Sequence, residues 1–388
     1  MRVAHLITRM IVGGAQENTL YNCLDLQNDF GDEVLLITGP AIGPEGDLLG
    51  SDLASTLQVE LIDSMRREIN PLRDLKAYWE LRRLIGEFRP DVVHTHSAKA
   101  GVLGRAAAWN LKVPAVVHTI HGAPFHQYQS AISRNIFRLA ERWASARCHQ
   151  LISVADSMTE LLVDAGVAKS EKFRTIYSGM DVDPFLNSQT TRQETRKKLG
   201  LNDQHILVGK IARLFHLKGH DDVIEAARAV VSCYANVRFL FVGDGLLKDD
   251  LAKKIQHYGL EENFIFTGLV DPHEVPELIA AMDILVHASY REGLARALPQ
   301  ALISGVPAIS YDVDGAREVV LDGTTGCLIP AGDVAGIAEA MLKLVADPKM
   351  REKYGQQGRV RFAEQFRHQE MTRQIRQLYE DVLSQKRG

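Results

Sequence analysis

HASYREGLARALPQALISGVPAIS, residues 287–310, follows the apolar run Ile284-Leu285-Val286 of the kind a buried strand makes. Polar residues and an acid beside a glycine, Glu292-Gly293, come next, and then a helix-forming segment predicted from Ala295 to Ser304. A strand that delivers a loop into a helix N-terminus makes an anion site. The first N–H groups of the helix have no intrahelical partner, and its dipole adds about half a positive charge. Gly293 lets a phosphate or sugar approach the backbone, with Glu292 facing whatever the anion carries. Pro299 is tolerated only in or near a first turn, which places the helix start near Ala295. Gly305-Val306-Pro307 stops that helix, and Ala308 to Tyr311 reads as the next strand.

Outward from this stretch the same alternation recurs. Strand-like runs occur at Arg2 to Thr8, Val34 to Ile37, Val59 to Ile62, Val92 to His94, Val116 to Ile120 and Leu151 to Val154. Helical spacing lies between most of them, as at Leu75, Trp79, Arg82, Arg83 and Gly86. A turn-rich stretch from Tyr177 through Pro184 and a polar run from Ser188 to Glu194 mark a boundary. Strands then resume at Ile206 to Ile211, Arg238 to Val242, Phe264 to Phe266, Ile284 to Val286 and Ala308 to Tyr311. Alternating β and α elements predict an α/β fold with doubly wound parallel sheets, in two Rossmann-like halves. The tail from Arg361 to Lys386 is helical in pattern.

The chain has 388 residues, enough for two or three domains, with 46% hydrophobic residues and a formal charge of −4. Nothing global points to nucleic acid. Cys23, Cys148, Cys233 and Cys327 have no metal-ligand spacing and read as buried thiols of a reducing cytoplasm. The sequence opens on a strand rather than a long apolar signal region, and no apolar run approaches the roughly 20 residues needed to cross a bilayer. A cytoplasmic location is expected, with at most a peripheral position at the inner face of the membrane.

Several loops sit where open α/β sheets bind ligands, at the carboxyl ends of strands. Arg213 and Lys218-Gly219 follow the strand ending at Ile211, and together a guanidinium fork and an ammonium can converge on one diphosphate. Gly13-Gly14 lies between the first strand and a helix, Gly243 and Gly245 follow another strand, and Gly268-Leu269 a third. Each is a plain turn or a close-approach loop. His94, His96 and Lys99 follow one strand of the first half and His118 and His121 the next. Paired histidines can hold zinc, but His94 and His96 are expected on opposite faces of a continuing strand, and no neighbouring Cys or carboxylate set completes a site. The triplets Asp181-Val182-Asp183 and Asp312-Val313-Asp314 read as turn caps rather than cation holders.

Strand, acid-glycine loop, helix, Gly-Val-Pro and strand together resemble the C-terminal signature of family-4 retaining glycosyltransferases of the GT-B fold. His96 and Lys99 resemble a subgroup of the family that builds cell-surface polysaccharide. In that family a second Glu follows the first after seven residues; here the positions are Glu292 and Gln300. The resemblance implies two Rossmann-like domains facing across a cleft. The first, residues 1–185, binds acceptor; the second, residues 186–364, binds the nucleotide-sugar; a helix at residues 365–388 returns to the first. It further implies transfer of a sugar with retention from a UDP- or GDP-sugar to a glycan or lipid-linked glycan of the cell envelope, with no metal and no cofactor.

By the same resemblance Arg213, Lys218 and Gly219 hold the diphosphate, aided by the backbone of Gly293, Leu294 and Ala295. Glu292 orients the donor sugar, Gln300 meets the ribose, and Gly243, Gly268 and Leu269 line the base pocket, with Gly14 on the donor from the first half. His121 faces the reacting sugar, and His96 and Lys99 lie near the acceptor. No side-chain nucleophile emerges, which fits front-face transfer in which a donor phosphate oxygen takes the acceptor proton. A GT-B nucleotide-sugar epimerase or hydrolase, or a non-catalytic nucleotide-sugar-binding protein, are the alternatives.

Between Ser130 and Arg147, Ile132, Ile136, Leu139 and Trp143 share one helical side, interleaved with Arg134, Arg138, Arg142 and Arg147. This is either a surface helix whose apolar stripe enters the core or a dock on an anionic membrane.

Overall fold

The computed structural model describes residues 1–43, 46–50 and 52–385. Two compact units emerge. The first comprises Met1–Met180 with Phe366–Gly388 and the second Asp181–Gln365. The change of unit falls at 180/181 rather than 185/186. Met180 is tied by backbone to the returning tail, its N–H donating to Phe366 O and its carbonyl accepting from His368 N.

The first unit is built on strands β1 (Arg2–Arg9), β2 (Glu33–Gly39), β3 (Gln58–Leu61), β4 (Val92–His96), β5 (Ala115–Ile120), β6 (Gln150–Ser153) and β7 (Phe173–Thr175). They lie in the order β3-β2-β1-β4-β5-β6-β7, and every pair is parallel. Helices cover the sheet, so β1 and β2 are apolar runs buried along nearly their whole length. The chain order reverses between β1 and β4, the switch point at which doubly wound sheets open a ligand crevice.

The second unit carries β8 (Ile206–Ile211), β9 (Val237–Val242), β10 (Phe264–Gly268), β11 (Ile284–His287), β12 (Ala308–Tyr311) and β13 (Gly326–Ile329), in the parallel order β10-β9-β8-β11-β12-β13. Its switch point lies between β8 and β11, where the Arg213 and Glu292 loops begin. The edge strands β7 and β13 are only 3 and 4 residues long and flanked by turn-forming residues, so no periodicity announces them.

Some local expectations are corrected. The helix after Glu292 spans Ala297–Ile303, starting two residues later than predicted; Pro299 stands third in it, where its missing N–H costs nothing. Leu294 and Ala295 therefore belong to the loop. The tail is two helices, Pro348–Phe362 and His368–Gln385, and Lys386 lies outside the described residues. The second packs on helix Gly14–Asn28 through a buried polar seam. Thr372 Oγ1 donates to Asp25 Oδ2 at 2.7 Å, and His368 Nδ1 lies 2.8 Å from the same oxygen. Cys23, Cys148 and Cys327 are buried, but Cys233, the last residue of helix His220–Cys233, is exposed. In helix Pro71–Phe88, Leu75 and Trp79 face outward, and Ala77, Leu81, Leu84, Ile85 and Phe88 form the buried face.

Helix Ala131–Ser145 buries only Glu141, Ala144 and Ser145, leaving Ile132 75%, Ile136 59%, Leu139 54% and Trp143 45% exposed. Its apolar stripe does not enter the core. Among the described residues no helix is long and apolar enough to cross a membrane.

Candidate active site

In the second unit the loops after β8 and β11 meet. Lys218 Nζ donates to Glu292 Oε1 at 2.5 Å, both side chains about one-fifth exposed. His287 Nε2 approaches the same oxygen to 3.3 Å, a polar contact without hydrogen-bond alignment. Burial opposes ionisation of Glu292, but His287 and Lys218 outweigh it and hold the carboxyl well below the usual carboxylate range. The loop backbone is locked from both sides. Tyr290 N donates to Leu217 O at 2.8 Å, Glu292 N to Asp314 Oδ2 at 2.6 Å, and Gly315 N to Gly293 O at 3.1 Å.

Asp314 is thus more than the turn cap expected of its triplet: it fixes the backbone on which Glu292 is presented. Its partner Asp312 is engaged by Arg317 at 2.8 and 2.9 Å, and Asp181 Oδ1 caps the backbone N–H of Asp183. Gly219 has φ +66, and a Cβ there would lie 1.8 Å from Ala288 O. Only glycine lets the Lys218 loop lie against β11 in this way. Gly243 N donates to Gly268 O at 3.0 Å, stitching together the two glycine loops expected around a base. Leu269, just beyond, is 63% exposed. Arg213 lies over the Phe215 ring, 5.1 Å from its centroid. Gln300 sits mid-helix, its N–H donating to Arg296 O and its carbonyl accepting from Ser304 N.

In the first unit β4 continues through His96, and His94 and His96 share one face, their ring centroids 4.2 Å apart. The expectation of opposite faces fails because side chains alternate with a period of two, so residues two apart always share a face. His5 of β1 joins them, and one ligand atom from each of His5, His94 and His96 lies within 4.8 Å of the others. Their nitrogens are mostly engaged already. His5 Nδ1 is 3.1 Å from His96 Nε2, and His96 Nδ1 is 3.2 Å from His121 Nε2. His94 lies 2.5 Å from the Tyr379 hydroxyl and 2.7 Å from Thr119 Oγ1. Burial drives all three well down in pKa, His5 to about 3, so His5, His94 and His96 are neutral imidazoles, and His121 continues the row from His96. His96 is fully buried; His121 is the member that reaches partial exposure.

Lys99 opens helix Ala98–Asn110 and borders a cavity of about 520 Å³ shared with Arg9, Arg67, Ile69, Val102 and Phe137. Its Nζ donates to Asp74 Oδ1 at 2.6 Å and to the Glu68 carbonyl. Gly14 begins helix Gly14–Asn28 at the end of the β1 loop.

Two family models match, a glycosyl transferase 4-like domain over residues 13–179 and glycosyl transferases group 1 over residues 191–361. The chain belongs to the family-4-like glycosyltransferases of the GT-B fold. Among the relatives of this glycosyltransferase is the UDP-Gal:alpha-D-GlcNAc-diphosphoundecaprenol alpha-1,3-galactosyltransferase of Escherichia coli, 26% identical, the match covering 100% of this chain and 98% of the relative. Another is the capsular polysaccharide biosynthesis glycosyltransferase CapM of Staphylococcus aureus, 25% identical over 84% of this chain and 85% of that protein. The glycosyltransferase also shares its fold with HepE of Anabaena, solved in complex with UDP (TM-score 0.82, 22% identity, 98% of this chain and 100% of that one).

Several residues of the site carried no sequence signal. His287, Asp314 and His5 are found only once strands are paired. His5 offered a hint as a polar residue inside an apolar strand, and Asp314 as the end of a triplet read as a turn cap.

Proposed function

We propose that this glycosyltransferase moves a sugar, with retention at the anomeric carbon, from a UDP- or GDP-sugar to a glycan or lipid-linked glycan of the cell envelope. The observation that carries the reading is the Lys218–Glu292 pair at the β8/β11 switch point, with Arg213 on the same loop. A diphosphate arriving there exchanges a carboxylate partner of Lys218 for its own oxygens. Charge stabilisation on the departing diphosphate is the largest catalytic contribution such a site can make, and it falls to Lys218, Arg213 and the backbone of Gly219, Gly293, Leu294 and Ala295. Glu292, ionised and released from Lys218, orients the sugar hydroxyls. Gly243, Gly268 and Leu269 receive the base, Gln300 the ribose, and Gly14 the donor. His121 meets the reacting sugar, its orientation held by His96, so that His96 acts through His121.

With the diphosphate neutralised by side chains, turnover requires no divalent cation, and a donor phosphate oxygen accepts the acceptor proton. Lys99 and its amphipathic cavity suit an acceptor with both an anionic and an apolar part. The exposed Ile132, Ile136, Leu139 and Trp143, with Arg134, Arg138 and Arg142 beside them, support docking on an anionic membrane from the cytoplasmic side.

A thermal-shift screen of UDP, GDP and their sugars tests the reading, since a ligand at 100 times its Kd stabilises by about 2.7 kcal/mol. The stabilising donor is then supplied with a lipid-linked acceptor, with and without EDTA, and the product anomer is read by NMR. Absence of any nucleotide effect overturns the proposal. Equal donor consumption with and without acceptor points instead to a hydrolase or epimerase.

A further inference from the structure

Around the Lys218–Glu292 pair lies a set of buried polar atoms without a hydrogen-bond partner among the described residues: Lys210 Nζ, both ring nitrogens of His220 and of His287, and Ser289 Oγ. The four residues are between 0% and 4% exposed. They converge from β8, from the first turn of helix His220–Cys233, and from the end of β11. Lys210 is the unusual member. A buried ammonium costs far more than a buried hydrocarbon unless an anion or several acceptors meet it.

The anions near Lys210 are already committed. Glu292 is held by Lys218, with His287 beside it. Asp222 accepts from the Tyr290 hydroxyl at 2.6 Å and the Tyr311 hydroxyl at 2.8 Å. Burial first, and then the like charge of Lys218, push the Lys210 amine down to about 7, with Glu292 and Asp222 opposing. Its other neighbours do not titrate in that range. Burial pushes His220 and His287 down and Tyr311 up. Phe241 of β9, which closes the layer against His220 with ring centroids 5.1 Å apart, carries no charge.

Binding of a diphosphate changes this balance in one direction. Negative charge is added at Lys218, and Glu292 loses the ammonium that neutralised it. We propose that Lys210 is a positioning residue of the donor site, neutral in the free protein, which takes up a proton when the nucleotide diphosphate binds and then holds Glu292 and the anion from below. The inference rests on the reading of Lys218 as a diphosphate ligand. The proton passes from the buffer acid to the Nζ lone pair, and no other bond is made or broken.

The test is calorimetric titration of the whole protein with UDP at pH 8, above the titration of the UDP phosphate, in HEPES and in Tris, whose ionisation enthalpies differ. The expected result is uptake approaching one proton per UDP, with affinity falling as pH rises from 7.5 to 9 by up to about tenfold per unit. Lys210→Met should still bind UDP, with uptake near zero and a flat pH profile. A second measurement needs no nucleotide. A lysine whose folded value lies below its unfolded value of about 10.4 binds fewer protons folded than unfolded between the two, so its contribution to stability rises with pH across that window. Lys210→Met should therefore melt higher than wild type at pH 7, with the advantage shrinking toward pH 10.

UDP binding to wild type without proton uptake overturns the inference and leaves the diphosphate reading standing, as does unchanged uptake in Lys210→Met. If UDP does not bind wild type, the diphosphate reading falls, and the proton-uptake proposal with it. A melting difference independent of pH shows that Lys210 is charged in the free protein and overturns the proposal by itself.

Discussion

Lys218 Nζ and Glu292 Oε1, 74 residues apart in the chain, are joined at 2.5 Å. The two residues therefore compete with donor groups for each other, and truncating them should have opposite effects on diphosphate binding. Lys218→Ala removes a charge-assisted bond and should weaken UDP binding by about 1.5–3 kcal/mol. Glu292→Ala releases Lys218 and should leave UDP binding equal or tighter, while sugar transfer falls on the order of a hundredfold, because Glu292 is proposed to act on the sugar that UDP lacks. Calorimetry with UDP and steady-state transfer assays check both. Equal loss of UDP affinity in the two variants would sink this division of roles.

Gly219 and Gly259 have nearly the same backbone, φ +66 and +64, but a Cβ at Gly219 meets Ala288 O at 1.8 Å while one at Gly259 meets nothing within 4 Å. Gly259→Ala should cost about 1 kcal/mol, the strain of a left-handed alanine. Gly219→Ala should cost roughly 2–4 kcal/mol, because the Lys218 loop has to move off β11, and should abolish UDP binding. Urea unfolding of the two variants measures the difference. Equal costs would mean that the approach to Ala288 does not set the loop position.

The parallel sheets were legible because strands buried on both faces write themselves as apolar runs, and the Arg213, Lys218 and Glu292 loops because they follow such runs directly. β7 and β13 were not, since edge strands this short need only a few pairing residues and carry no pattern. The roles of His287 and Asp314 were invisible for a different reason. Their roles come from strand pairing, which sets β11 between β8 and β12 and carries the following loops to one place. The histidine row was misread through a local rule, the two-residue period of a strand, rather than through missing information. The late start of the helix at Ala297 reflects competition at its N-terminus, where Leu298 N bonds Ala295 O in a tighter turn before the α-helical bonding begins.

Burial also makes a pH statement. His5, His94, His96 and His118 are buried, and burial drives each below the ordinary histidine value, His5 to about 3. The unfolded chain protonates these rings near 6.5 while the folded chain does not, so stability is lost as pH falls below about 6.5. One such ring costs about 1.4 kcal/mol at pH 5.5. Chemical denaturation at pH 7.5 and 5.5 should show a stability gap of several times that amount. His5→Phe should lower stability at pH 7.5, because His96 loses a partner, yet narrow the gap by about 1 kcal/mol. A gap unchanged in that variant would show that His5 titrates normally.

The exposed stripe of helix Ala131–Ser145 gives a direct test of membrane docking. Arg134, Arg138 and Arg142 reversed together to Glu should abolish sedimentation with anionic vesicles while leaving the melting temperature within a few degrees of wild type. Each basic residue near such a surface contributes about 1 kcal/mol. Wild-type binding should weaken as salt rises, as electrostatic attachment requires. Wild-type protein that ignores anionic vesicles at low salt ends the proposal.

Gln300 stands where the family has a second Glu, eight positions beyond Glu292, and the helix Ala297–Ile303 carries it at mid-length. In the family that carboxylate accepts from both ribose hydroxyls, a task suited to an acceptor-only group. A carboxamide accepts from one hydroxyl through its oxygen and donates to the other through its nitrogen, so ribose binding survives without a charge. The exchange should cost about 1–2 kcal/mol relative to the charged bond, partly offset because one fewer negative charge faces the diphosphate. The protein should therefore be an active transferase with Gln300, and Gln300→Glu should keep activity while changing donor affinity by no more than about tenfold. A 2′-deoxyribose donor should bind more weakly to both forms, with the larger loss in the Glu form. If Gln300→Glu eliminates turnover, or if removing the 2′-hydroxyl changes nothing in either form, residue 300 does not meet the ribose, and the donor must enter the β8/β11 switch point with its nucleoside along a different face of that helix.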